Sequence, residues 1–271
     1  MFELVDSAPD HKELGISDKQ LKRILGGKKA RPKILVKNIS DNVFTIGIVA
    51  DTHLCSTHEK LNELHTFYAI MKKEGIDTVF HAGDVIAGWG IYRGQENEVH
   101  TFGANNQAQY AVDNYPKVDG ITTYFCTGNH DLSWWKTAGI DVGELIAAQR
   151  PDMIYLGQYK GDVKINGIKF RIMHPDGGGA YALSYRAQKI SEQIPSGDKP
   201  KVLIFGHWHT AHYFFYRNMH IFNAGCFESQ TSFLLRKGIN PIIGGWTVEI
   251  RVAKDKRKTI LSLRPCFIPF L

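Results

Sequence analysis

Apolar positions along the chain fall into short runs that alternate with helical patterns from about Phe44 onward. Residues 45–50, Thr-Ile-Gly-Ile-Val-Ala, form a run suited to a strand buried on both faces, and it leads directly into Asp51. Residues 59–74 carry helical spacing. Residues 78–82 read as a second strand and run into Gly83-Asp84, and the polar stretch 105–114 reads as a helix. A third strand over 121–126 leads to Gly128-Asn129-His130-Asp131. Residues 163–165 and 168–173 flank Asn166-Gly167, a type I′ hairpin signal, and the second strand of that hairpin stops at His174. A helix is expected over 181–194 and a strand over 202–205 that ends at Gly206-His207-Trp208-His209. Further strands are expected over 213–216, 246–252 and 259–263. Strands interspersed with helices, followed by a strand-rich C-terminal half, predict an α/β fold in which sheets are sandwiched and covered by helices.

The first 43 residues read differently. Ser17-Asp18-Lys19-Gln20 fits a capping box, Leu21, Ile24 and Leu25 follow at helical spacing, and Gly26-Gly27 would end the helix. Eight basic residues and no acidic one lie between Lys19 and Lys37. The expected organisation is therefore a short basic helical extension over 1–43 and a main domain over 44–271. The segment 14–25 also resembles the turn and recognition helix of helix-turn-helix modules, although too little chain precedes it for a full module. A capped amphipathic helix packed on the domain is the preferred reading. The basic run suits either contact with a phosphate backbone or a solvated linker.

Composition narrows the class. With 43% apolar and 22% charged residues the chain is ordinary globular protein, and no apolar run reaches the roughly 18 residues of a membrane span. The N-terminus has no basic stretch followed by an apolar core. Cys55, Cys126, Cys226 and Cys266 are dispersed without a C-x-x-C pair, so reduced thiols and a cytoplasmic location are expected. Charge (33 basic against 27 acidic residues, net +6) permits a polyanionic partner. Twelve histidines are the stronger lead.

Five strands end in Asp, Asn or His, and ligands in such folds bind beyond the carboxyl ends of strands. If the ends converge, they bring together Asp51, His53, Asp84, Asn129, His130, His174, His207 and His209. A mixed oxygen and nitrogen donor set with no thiolate suits Mn²⁺ first, with Fe, Zn²⁺ or Ni²⁺ as alternatives. The set is too large for one ion and right for two that share a carboxylate. Two such ions about 3.5–4 Å apart clamp the attacking and leaving oxygens of phosphoryl transfer and activate a water near neutral pH.

The series Asp51-Thr52-His53, Gly83-Asp84, Gly128-Asn129-His130-Asp131, His174, Gly206-His207-Trp208-His209 resembles the ordered signature D-x-H, G-D, G-N-H-[DE], H, G-H-x-H of the calcineurin-like metallophosphoesterase superfamily. The resemblance covers roughly residues 44–225. It implies a four-layer αββα sandwich of two mixed β-sheets flanked by helices. It also implies that Asp51, His53 and His209 hold one metal, that Asn129, His174 and His207 hold the other, and that Asp84 bridges them. His130 would contact the phosphate and protonate the leaving group, and Asp131 would orient His130. The implied reaction is hydrolysis of a phosphodiester by a hydroxide that the two metals activate. DNA or RNA is the favoured substrate, because of the basic N-terminal region and the aromatics near the motifs. A phosphomonoesterase, a cyclic-nucleotide phosphodiesterase and a nucleic-acid-binding protein with an inactive metal site are the alternatives.

Several neighbours of the motifs carry weaker expectations. Cys55 reads as a packed side chain. Trp208 should point away from the metals. The histidines outside the motifs, His81 and His212 among them, read as surface or satisfied core residues, with a supporting role as the alternative for His81 and a substrate-facing one for His212. Asp176-Gly177-Gly178-Gly179 reads as a substrate loop or a turn, and Arg186 as a candidate phosphate contact.

Overall fold

The computed structural model describes residues 35–37, 39, 42–254 and 259–270. The helix expected over 19–25 lies outside the described residues. Two mixed six-stranded sheets make up the domain. The first contains β2 (Val43–Val49), β3 (Thr78–His81), β4 (Thr122–Thr127), β5 (Met153–Gln158), β11 (Gly244–Val252) and β12 (Ile260–Pro269), in the order β12-β11-β2-β3-β4-β5. The second contains β1 (Leu35–Lys37), β6 (Lys160–Ile165), β7 (Ile168–Met173), β8 (Val202–Phe205), β9 (Ala211–Tyr216) and β10 (Met219–Ala224), in the order β1-β6-β7-β8-β10-β9. Among the described residues the α-helices are α1 (Leu61–Lys73), α2 (Ala104–Asn114), α3 (Ser133–Ala138), α4 (Val142–Gln149), α5 (Tyr185–Gln193) and α6 (Ser232–Arg236).

Alternation along the strands assigns the layers. In β2, Ile46 and Ile48 point at the opposing sheet and, with Phe80 of their own sheet, share the core between the sheets with Phe170, Ile172 and Ile204 of the other. Val49 faces the other way, onto Leu64, Phe67 and Met71 of α1. In β8, Val202 and Ile204 belong to the inter-sheet core, and Leu203 and Phe205 pack under α5 beside Ala187. The result is the αββα sandwich. Phe80 and Phe170 stack across its centre, 5.3 Å apart at 20°. Each fully buried side chain of this size contributes on the order of 1.5–3 kcal/mol.

Register places the site. β2, β3 and β4 run parallel, with Val49 level with His81 and His81 level with Phe125. The chain therefore leaves all three strands side by side, just before Asp51, Asp84 and Asn129. In the second sheet β7 and β8 are parallel, with Met173 level with Phe205, so His174 and His207 also emerge together. The hairpin turn is as expected: Asn166 and Gly167 both take positive φ, 48° and 81°.

Other elements carry little periodic signal. β1 has three residues and lies upstream of residue 44, parallel to β6. Helix α3 has only six residues, and β5 and β10 are interrupted by Gly157 and by His220 and Asn223.

Candidate metal centre

The loops that follow β2 and β3 are zipped together by backbone hydrogen bonds. Asp51 N donates to Gly83 O at 3.0 Å, Thr52 N and His53 N to Asp84 O at 2.9 and 3.1 Å, and Leu54 N to Val85 O at 2.9 Å. Five of the expected donors, Asp51, His53, Asp84, His207 and His209, adopt left-handed backbone, with φ of 50°, 42°, 54°, 81° and 50°. Non-glycine residues stay in that region only where their surroundings over-determine them. The motif glycines make the close approach possible. A Cβ on Gly128 would lie 2.2 Å from Asp84 Oδ1, and one on Gly83 would lie 2.5 Å from His174 Nδ1.

All seven expected donors, with His130 and Asp131, meet at this edge of the sandwich. His53 Nε2 lies 3.1 Å from His209 Nε2, 3.8 Å from Asp51 Oδ1 and 3.9 Å from Asp84 Oδ2. His174 Nε2 lies 3.0 Å from Asp84 Oδ2 and 3.1 Å from Asn129 Oδ1. Three groups of side chains could each hold an ion: Asp51, His53 and His209; Asp84, His174 and His207; and His53, Asp84 and His130. The first is the set expected for one ion; the second joins Asp84 to His174 and His207 of the other expected set, and Asn129 Oδ1 lies beside His174. The third includes His130, which the resemblance leaves off the metals.

The donor chemistry fits divalent ions. Asp51 and Asp84 are fully buried, and among the described residues neither pairs with a lysine or arginine. Uncompensated buried carboxylates are costly, and a bound cation offsets that cost. Burial works against ionised Asp84, but His174 and His130 hold its carboxyl well below the usual range. Burial likewise opposes charge on His174, yet Asp84 holds its pKa up at about 9. Burial, reinforced by His130, pushes His53 down, which leaves a neutral imidazole able to ligate.

Hydrogen bonds to the backbone set the tautomers. His174 Nδ1 faces Ala82 O at 2.8 Å, and His130 Nδ1 faces Ala87 O at 2.7 Å, so each ring donates from Nδ1 and turns Nε2 toward the cluster. Asp131 therefore has a different part from the expected one. Its carboxylate accepts from the backbone N–H groups of Val85 (3.2 Å), Ile86 (2.9 Å) and Gly128 (2.8 Å), which locks the β3 and β4 loops against each other, while a carbonyl orients His130. Burial and the nearby Asp84 push Asp131 up to about 7.

His81 supports the centre from below. Its Nδ1 accepts from Gly83 N at 3.3 Å, which leaves Nε2 to donate to Thr52 Oγ1 at 3.1 Å. Burial lowers its pKa to about 4. An unfolded histidine titrates near 6.5, so between pH 6.5 and 4 the unfolded chain takes up a proton that the folded one refuses. Stability is then lost as pH falls through that window, by up to about 1.4 kcal/mol per pH unit for this one group. Urea midpoints of metal-free protein at pH 6.5 and 4.5 should fall more steeply for wild type than for His81→Gln, and equal slopes would refute this role.

Other expectations resolve as follows. Trp208 packs on Phe205 and donates from Nε1 to Gly177 O at 3.0 Å, so it holds the glycine loop. Arg186 Nε donates to Gly178 O at 3.1 Å in the same loop. Cys55 is buried, its Sγ directed to Gln107 O, and burial pushes its thiol pKa up. His212 stacks on Phe214 and is not part of the cleft wall. Glu228 had no motif to announce it. It is buried, with Oε2 3.8 Å from His53 Nε2, and burial pushes its pKa up to about 7. A cleft of about 1060 Å³ opens over the cluster.

The sequence matches the model of the calcineurin-like phosphoesterase superfamily domain over residues 44–235, well over half the chain. The chain belongs to this superfamily. Among curated proteins it is similar to the DNA polymerase II small subunit of Archaeoglobus fulgidus, 25% identical over 250 residues, which is 76% of this chain and 51% of that protein. The small subunit of Methanothermobacter thermautotrophicus is 26% identical over 199 residues, 60% of this chain and 41% of that protein. The chain thus spans about half the length of the curated relatives it matches. Among solved structures, an archaeal phosphodiesterase aligns at 16% identity and a TM-score of 0.47, covering 83% of this chain and 100% of its own. Zinc-complexed Vps29 from Entamoeba histolytica aligns at 13% identity and 0.41, covering 83% and 99%. As a calcineurin-like phosphoesterase, the domain has metal-dependent phosphoester hydrolysis as its family chemistry, and its Asp and His clusters could bind the metal. No helix among the described residues is long and apolar enough to cross a membrane.

Proposed function

We propose that this protein is a dinuclear metal-dependent phosphodiesterase acting on nucleic acid, DNA or RNA, with Mn²⁺ as the activating ion. The observation that carries the reading is the convergence of five strand ends on two adjacent donor groups, Asp51 with His53 and His209 and Asp84 with His174 and His207, with Asp84 Oδ2 also 3.9 Å from His53 Nε2. Asp51, His53 and His209 would hold one ion, and Asn129, His174 and His207 the other. Bound there, the ions would supply charge neutralisation at phosphorus and a nucleophilic water at neutral pH. The chain's own residues would orient the ester. His207 N donates to both Asp51 carboxylate oxygens (3.0 and 2.9 Å) and His130 N to Asp84 Oδ1 (2.8 Å), so both carboxylates are held in place before substrate arrives. His130, held through Nδ1, presents Nε2 to the leaving oxygen, and its imidazolium form, protonated on both nitrogens, would be the general acid. Similarity to polymerase small subunits supports a nucleic-acid setting. The four unpaired cysteines suit a reducing, cytoplasmic one.

Metal analysis joined to a substrate panel tests the proposal. Protein loaded with Mn²⁺ should bind two ions and hydrolyse a bis-aryl phosphate diester and oligonucleotides faster than an aryl monoester. Turnover confined to the monoester would overturn it. So would DNA binding that persists in Asp84→Ala with no turnover by wild type.

A further inference from the structure

The cleft is larger than a small ester needs. Its volume of about 1060 Å³ exceeds the roughly 300–1,000 Å³ that suffices to bury a drug-sized ligand. Its walls also differ from one end of the metal cluster to the other. At the His53 and His209 end, Glu228 leads into the segment that carries Phe233 and Lys237. At the His207 end stands the glycine loop, tied down by Trp208 and by Arg186 of α5. Lys136, on α3 just beyond His130, also lines the cleft. Among the described residues the cleft is thus lined by three cations, Arg186, Lys136 and Lys237, with acidic Asp176 and Glu228 as its other charged side chains outside the donor groups.

Two further features suit a chain of nucleotides. Gly178 and Gly179 have open space where a Cβ would stand, so a ribose-phosphate backbone can approach the loop closely. At the opposite end, Tyr92 and Phe233 stack 5.0 Å apart at 22°, and Lys237 Nζ lies 5.8 Å over the Phe233 ring. Glu98 fixes this aromatic wall by accepting from Tyr92 Oη at 2.6 Å and from Ser232 N at 2.9 Å. Aromatic faces beside cations hold unpaired bases, since the faces of paired bases are already covered in a duplex.

Resting on the phosphodiesterase reading above, we infer that the cleft binds a single-stranded polynucleotide across the metal pair. Arg186 and Lys237 meet phosphates on opposite sides of the scissile one, and the Tyr92–Phe233 wall takes a base. Internal phosphodiester bonds of single strands are then the preferred substrate.

The test compares end-labelled oligo(dT) and oligo(rU), their duplexes and bis-(p-nitrophenyl) phosphate, all with Mn²⁺. Single strands should be cut at least tenfold faster than duplexes, and at internal positions, with the dT and rU arms showing which sugar is preferred. Phe233→Ala should lower the ratio of kcat/KM for the oligonucleotide to that for the aryl diester about tenfold, within the range measured for loss of one base stack. Phe233→Tyr, which keeps the ring, should restore it and serves as the folding control. Arg186→Gln and Lys237→Gln should each reduce the salt slope of oligonucleotide binding by about 0.7, one contact on a single strand. Equal rates on duplex and single strand, or unchanged ratios and slopes in all three variants, would overturn the inference and leave the phosphodiesterase reading standing, whereas aryl diester turnover without oligonucleotide cleavage would overturn the inference together with the nucleic-acid part of that reading. No turnover of any diester by metal-loaded protein would remove both.

Discussion

Asp84→Asn is expected to reduce kcat for a phosphodiester at least about a thousandfold and to leave the protein with less than one bound metal per chain. The proposed arrangement gives Asp84 to both ions. Its Oδ2 lies 3.0 Å from His174 Nε2 and 3.9 Å from His53 Nε2, and its Oδ1 accepts His130 N at 2.8 Å. Asparagine keeps the size and one acceptor but loses the charge that compensates a dication. Metal catalysis supplies several kcal/mol of transition-state stabilisation, and each 1.36 kcal/mol or so is worth a factor of ten, so losing about 4 kcal/mol accounts for the thousandfold. Metal content by mass spectrometry and kcat with Mn²⁺ in excess are the two readouts. A variant that retained two ions and full activity would exclude Asp84 from the bridging position. The metal-free variant should remain folded, because asparagine's side-chain oxygen can still accept from His130 N.

His130→Ala is expected to lower kcat about 10²- to 10⁴-fold on a substrate with an alkoxide leaving group, the range of general acid catalysis. On a bis-aryl diester the loss should be far smaller, because a nitrophenolate leaves without a proton. The ring stands edge-on to His53, with centroids 4.3 Å apart, and its Nδ1 is committed to Ala87 O. Its Nε2 is therefore the atom free to serve the substrate. Burial lowers the His130 pKa, although Asp84 pulls it back up. The same geometry puts His130 in a possible donor group with His53 and Asp84. Metal content separates the two roles. Two ions retained with a leaving-group-dependent defect fits the acid, whereas loss of an ion with equal defects on both substrates would make His130 a ligand.

Most of the site could be read from residue types at strand ends. Asp51-Thr52-His53, Gly83-Asp84, Asn129-His130 and His207-Trp208-His209 each follow an apolar run, and the structure brings them together because β2, β3 and β4 end level with one another and β8 of the facing sheet ends at the same edge. His174 has no local motif. It was legible only as the residue where a hairpin strand stops, and its closeness to Asp84 depends on the second sheet facing the first. Asp131 shows where adjacency misleads. It follows His130 directly, yet its carboxylate turns to amides about 45 residues upstream, and His130 finds its partner in the Ala87 carbonyl. Glu228 left no trace at all, because its place beside His53 comes from the path of the chain between β10 and β11.

Burial periodicity, turn chemistry and the residue types at strand ends are local properties, so the sequence by itself determined the α/β layering, the Asn166-Gly167 turn and the donor inventory. Hydrogen-bond partners, imidazole tautomers and the walls of the cleft are contacts between segments dozens of residues apart. Only the tertiary structure decided those, because a buried polar atom bonds to whatever packing brings within about 3 Å of it.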